Sequence, residues 1–135
     1  MEQRHSALIR ESWKVVGPRG AGLADAFYQR LFELDPRLRD LFAATEMESQ
    51  SDKFMTMLSE VVRIMEDPEK FEGVLEASGR RHAGYGVVAR HYRTVGEALL
   101  WALDEALPGG MDAETREAWS EAYTRMAFIM QRAAA

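Results

Sequence analysis

Apolar residues recur at three- and four-residue intervals along almost the whole chain, and no stretch sustains the alternation of a β-strand. A sequence with that single periodicity must bury one stripe of every helix, so the expected fold class is all-α. Breaks in the pattern divide it into segments. A first helix is expected from about Ser6 to Val16, with Leu8, Ile9, Trp13 and Val16 turned inward, and Gly17-Pro18 ends it. A second starts near Arg19 and carries Leu23, Phe27, Tyr28, Leu31 and Phe32 to Asp35-Pro36. The residue before a proline is pushed out of helical geometry, so this pair marks a sharp turn into a short helix, Pro36 to Phe42.

Polar Ala43 to Ser49 reads as a loop. From about Ser49 a helix carries Phe54, Met57, Leu58, Val61, Val62 and Met65 to Asp67-Pro68, which caps the next. That helix supplies Phe71, Leu75 and His82, and Gly84 and Gly86 break it. Two long helices follow, His91 to Leu107 and Asp112 to about Arg132, separated by Pro108-Gly109-Gly110. Seven helices of unequal length do not form a regular four-helix bundle. No internal repeat, linker or low-complexity tract breaks the series, apart from the terminal Ala133-Ala134-Ala135.

The 135 residues, 47% of them hydrophobic, suffice for one domain with a single core, taken as residues 1–135. No apolar run is long enough to span a membrane, and Glu11 follows Met1-Glu2-Gln3-Arg4-His5 too soon for a signal peptide, so a cytoplasmic location is expected. The absence of cysteine removes disulfides, thiolate nucleophiles, iron–sulfur clusters and cysteine zinc sites, and leaves three histidines as nitrogen ligands. With a net charge of −5 and basic residues scattered along the helices, the chain has no footprint for nucleic acid or an anionic membrane.

Taken singly, the polar and aromatic residues of these stripes have two readings each. His82, in Gly79-Arg80-Arg81-His82-Ala83-Gly84-Tyr85-Gly86-Val87, is either a hydrogen-bonded core histidine or a metal ligand. His91 is its rival, since a histidine at a helix start can equally bond backbone or solvent, and His5 reads as a surface residue. Tyr28 is either an amphipathic core residue whose hydroxyl finds a carbonyl or a donor into a pocket. Gln50 alone is a solvated first-turn residue, and Phe42, Phe54 and Phe71 alone are core. The eight methionines read as adaptable filling, and Glu46, Glu48 and Asp52 form no metal cluster with a histidine at helical spacing.

Together these residues carry a resemblance that covers nearly the whole chain. The stretches Leu8-Ile9-Arg10-Glu11-Ser12-Trp13, Phe27-Tyr28-Gln29-Arg30-Leu31-Phe32 with Pro36, Leu41-Phe42, and Gln50 through Lys53-Phe54 come in order. The His82 corner, His91-Tyr92 with Val95-Gly96-Glu97-Ala98-Leu99-Leu100, and Trp119-Ser120-Glu121-Ala122-Tyr123 complete the series. In order and spacing the chain resembles the single-domain bacterial haemoglobins, globins related to the haem domain of flavohaemoglobins. The resemblance implies a three-over-three helical sandwich around haem b, iron protoporphyrin IX. His82 would be the proximal iron ligand and Phe42 the aromatic wedged against the haem. Tyr28 and Gln50 would face the opposite, ligand-binding side, with Phe54 one turn after Gln50 on the same helix face. Lys53 would lie near the haem rim, where its ammonium could meet a propionate. Leu75, Val87, Tyr92, Val95 and Leu99 would complete the apolar walls.

The function this implies is reversible, high-affinity binding of dioxygen, and of carbon monoxide and nitric oxide, for oxygen storage, scavenging or transport. A phenol hydroxyl and an amide N–H aimed at a partly charged oxygen ligand hold it electrostatically. The enzymatic alternative is a nitric oxide dioxygenase, which would draw its electrons from a separate reductase, because no flavin or nicotinamide domain is expected here. An oxygen or nitric oxide sensor is a further alternative. A haem-free helical module would have no physical need for the set His82, Phe42, Gln50 and Tyr28. Two departures from the family pattern stand out. No acid follows Arg132 to act with Tyr92 on the proximal imidazole, which weakens the case for peroxidase-like chemistry. Ser78 replaces an expected large aliphatic residue one turn before His82, which implies either a looser proximal side or a hydroxyl that accepts the proton on the second ring nitrogen of His82.

Overall fold

Pro36 and Pro68 each open a helical segment at its first position, where the missing N–H costs nothing, and each follows an aspartate that caps it. In the computed structural model, which describes residues 3–135 apart from the side chains of residues 19–21, the helices are six. They are α1 (Gln3–Val16), α2 (Gly20–Leu34), α3 (Met47–Ile64), α4 (Pro68–Gly84), α5 (Ala89–Ala106) and α6 (Ala113–Ala134). Turns of 3-10 helix, Gly17–Arg19 and Pro36–Phe42, join α1 to α2 and follow α2, and no strand occurs among the described residues. Met1 and Glu2, the start of the polar N-terminal stretch, lie outside the described residues.

Caps explain where the boundaries differ from those expected. α3 begins two residues early, inside the expected 43–49 loop, because the Glu46 carboxylate accepts from the N–H groups of Glu48 (3.1 Å) and Ser49 (2.9 Å). α5 begins at Ala89 instead of His91, since the His91 imidazole reaches back one turn and its Nδ1 accepts from the Val88 N–H at 3.0 Å. The other two starts follow ordinary rules: Asp67 accepts from Lys70 N–H and Asp112 from Thr115 N–H.

The helices stack as three over three. α4 and α1 both cross α6, and α3 crosses α2, while α2 with α5 and α5 with α6 are neighbours within one layer. Ile9, Leu23, Leu75, Leu103 and Ile129 are fully buried between the layers. Two glycines set how closely helices approach. A Cβ on Gly79 would lie 2.2 Å from the main-chain oxygen of Met130, so only glycine lets α4 rest directly on the backbone of α6. A Cβ on Gly96 would lie 2.7 Å from the Tyr123 ring, which fills the space between α5 and α6. Between α1 and α6, Ser12 Oγ accepts from Trp119 Nε1 at 2.8 Å and turns its own proton back to the carbonyls of Leu8 and Ile9. That hydroxyl satisfies the one polar atom of a buried indole.

Candidate functional site

The inward stripe of α2 places Phe27, Tyr28 and Leu31 in the core, and Tyr28 is only 7% exposed. Around its ring stand Phe27, Phe32, Phe42 and Phe54, with centroids 4.9, 6.2, 5.6 and 5.7 Å away. Phe54 in turn stacks on Phe27 at 4.3 Å. A hydroxyl in such an aromatic cage needs a partner, and Gln50 supplies it from the first turn of α3: its Nε2 donates to the Tyr28 oxygen at 3.0 Å. Burial pushes the Tyr28 phenol above its ordinary range, and the Gln50 hydrogen bond offsets part of that rise. Tyr28 is therefore a protonated phenol at neutral pH, whose oxygen accepts from Gln50 and whose own proton is free to be donated.

The sequence places Tyr28 and Gln50 as two parallel donors. The structure arranges them in series, with the amide N–H given to the phenol. Phe54, Tyr28 and Gln50, expected on one side of the site, do come together, and Phe42, expected only to wedge against the haem, packs edge-on against the Tyr28 ring. Lys53, a neighbour of Phe54, is exposed on α3 and makes no ion pair among the described residues. It borders a shallow groove of about 380 Å³ with Ser49, Asp52, Thr56, Met57 and Glu60.

α4 supplies the second half. Leu75 and Ser78 are buried and His82, one turn further on, is half-buried. The His82 Nδ1 lies 2.7 Å from the Ser78 carbonyl oxygen and 3.3 Å from the Ser78 hydroxyl. A carbonyl can only accept, so Nδ1 carries the proton and the main chain is its first acceptor; the hydroxyl expected in that role is the longer, secondary contact. This fixes the tautomer, leaving the Nε2 lone pair without a hydrogen-bond partner among the described residues. After Gly84 the helix ends: Tyr85 N–H and Val87 N–H both donate to the His82 carbonyl at 3.0 Å, and Gly86 takes φ +91°. The turn returns Val87, half-buried, towards the core and starts α5, whose Tyr92 and Leu99 are buried and Val95 half-buried.

Three features of this half have no signature in residue type alone. Tyr123 Oη donates to the Tyr92 carbonyl at 2.7 Å and ties α6 to the start of α5. His91 is a buried helix cap, and its imidazole is held below the ordinary value by burial first and by the Arg90 charge second. His5, expected at the surface, is half-buried, with its Nδ1 3.0 Å from the Glu121 carboxylate.

The donor set suits a haem. An imidazole whose Nδ1–H is held by the Ser78 main-chain carbonyl turns its Nε2 outward as the atom a metal would take. His82 would hold the iron, with Leu75, Val87, Tyr92, Val95 and Leu99 as apolar surroundings and Phe42 and Phe54 beside Tyr28.

Comparison with known proteins bears on the family and the fold. The family described as Globin matches residues 25–130. Neuroglobin of Danio rerio is 28% identical over 145 aligned positions, covering 98% of this chain and 91% of that protein. The flavohemoprotein of Rhizobium meliloti is also 28% identical, over 96% of this chain, and the chain spans 33% of its length. Among solved structures, a bacterial globin from Campylobacter jejuni superposes with a TM-score of 0.85 at 23% identity, covering 98% of this chain and 96% of that one.

Proposed function

The chain belongs to the globin family, whose members bind haem and diatomic gases such as dioxygen, and from that premise we propose that it binds dioxygen tightly and releases it slowly. The observation that carries this reading is the Gln50 to Tyr28 hydrogen bond of 3.0 Å inside an aromatic cage. His82 would hold the haem b, which would supply the iron that binds the diatomic ligand, and Tyr28 would donate to that ligand.

What the chain itself contributes there is a directed proton donor. Gln50 donates to the Tyr28 oxygen, which polarises the phenol and strengthens its own O–H as a donor. Phe27, Phe42 and Phe54 keep competing water away and lower the local dielectric, so that donor is worth more than in solvent. Burial keeps the phenol protonated, and a protonated phenol donates to a ligand instead of replacing it. Lys53 at the rim would meet a propionate, and the Ser78 carbonyl would hold the His82 ring in orientation.

A hydrogen bond to a partly charged acceptor contributes about 1.5–3 kcal/mol, so Tyr28→Phe should release dioxygen roughly tenfold to a hundredfold faster. Stopped-flow displacement of dioxygen by carbon monoxide measures this, and an unchanged rate would remove Tyr28 from the role. The likeness to the Rhizobium meliloti flavohemoprotein favours a second reading, nitric oxide dioxygenation with electrons from a separate reductase. Sustained nitrate formation from nitric oxide under air with added reductant is its test, and a single turnover without recycling would exclude it.

A further inference from the structure

Away from His82 and Tyr28, a groove of about 460 Å³ runs between α5 and α6. Its α5 wall runs from Ala89 to Leu100 and its α6 wall from Ser120 to Gln131. Its depth follows from Gly96, whose missing side chain lets the Tyr123 ring lie between the helices as the floor. Phe128 stands on the α6 rim and is 62% exposed, and Val88, next to the Ala89 end, is 43% exposed. The Arg132 guanidinium lies over the Phe128 ring, 5.5 Å from its centroid, and the rest of the ring stands beside an open apolar groove as a knob next to a hole.

The charges on this surface are few and paired in sign. On the α6 wall Ser120, Thr124, Phe128 and Gln131 are all uncharged. On the α5 wall Arg93 and Glu97, one turn apart and both exposed, make no ion pair among the described residues, although neighbouring helices carry several. They stand symmetrically about the middle of that wall. A two-fold axis through the middle would therefore set Arg93 of each copy opposite Glu97 of the other, and would carry Phe128 of each copy to the Tyr123 end of the other's groove.

We propose that the α5–α6 groove is an isologous contact surface, and that its occupant is a second copy of this chain. The same patch then supplies knob, hole and both signs of charge, as self-complementary contact about a two-fold axis requires. Aromatic anchors seated in apolar pockets carry the affinity in such contacts, and the two reciprocal ion pairs set register.

Sedimentation equilibrium on the full chain, with and without added hemin, tests this from about 1 µM to about 1 mM, a range that brackets micromolar association. A monomer–dimer equilibrium is expected. Arg93→Glu and Glu97→Arg alone each place two like-charge contacts in the interface and should each weaken dimerisation by about tenfold or more. Combining them restores opposite signs and should bring affinity back to within about threefold of the original chain, a recovery that non-specific loss of stability does not produce. Phe128→Asp should abolish the dimer while helix content, read by circular dichroism, stays unchanged. A chain that remains monomeric throughout, single charge variants that dimerise as tightly as the original, or a double variant no better than the singles would each overturn the proposal. A groove filled instead by an unlike protein would give the first of these results.

Discussion

At the scale of single residues, the site depends on which atoms already have partners. Gln50 acts on a ligand only through Tyr28, because its Nε2 donates to the phenol oxygen. Gln50→Leu should therefore speed dioxygen release less than Tyr28→Phe does. Adding Gln50→Leu to Tyr28→Phe should change the rate little, since the path it works through is already gone. Two independent donors would instead give multiplying effects in the same stopped-flow measurement. On the other side, side-chain substitution at Ser78 cannot remove the first acceptor of His82 Nδ1, because that acceptor is main chain. This part of the site was only half legible. The spacing of His82, Tyr28 and Gln50 is visible in the residues, whereas a carbonyl one turn before a histidine has no letter of its own. The serial Gln50–Tyr28 arrangement depends on how α2 and α3 cross.

Helix ends and helix crossings govern the next scale, and two predictions belong there. His91 caps α5 with a neutral Nδ1, and burial together with the Arg90 and Arg37 charges holds its folded value below the ordinary 6.5, while Asp35 opposes them. As pH falls, the unfolded chain takes up this proton first, so the contribution is complete above about pH 6.5 and is lost below it. Urea midpoints at about pH 7.5 and pH 5.5 should fall more for the original chain than for His91→Gln, which keeps an acceptor without the titration. Equal falls would show that the cap does not titrate in this window. α4 offers an internal contrast between two glycines. Gly79→Ala drives a methyl into the Met130 backbone, at 2.2 Å from its oxygen, and should cost about 3 kcal/mol. Gly73→Ala meets nothing within 4 Å and should stabilise by about 1 kcal/mol through helix propensity. Chemical denaturation of both variants checks the pair, and similar losses would mean that α4 and α6 are free to move apart. The helices themselves were legible, because proline and glycine punctuate them. The Glu46 cap was not, since glutamate is an uncommon residue at that position, and Gly79 and Gly96 reveal their reason only where two helices cross.

For the whole molecule, the two halves of the site come from different layers. Tyr28 belongs to α2 and His82 to α4, so the relative placement of the two halves is set by what each helix packs on: α4 on α6, and α2 on α5. A ligand that binds the folded chain alone stabilises it by mass action, and at a thousandfold excess over its dissociation constant the gain is about 4 kcal/mol. Hemin should therefore raise the urea midpoint of the chain markedly. His82→Gly should lose much of that gain and recover it with exogenous imidazole, which can occupy the vacated place. Tyr28→Phe should keep the gain, because a donor to the gas ligand plays no part in holding the haem itself. A hemin effect that is the same in His82→Gly as in the original chain would mean that the haem is held by apolar burial or by another ligand. The orientation fixed by the Ser78 carbonyl would then serve packing alone.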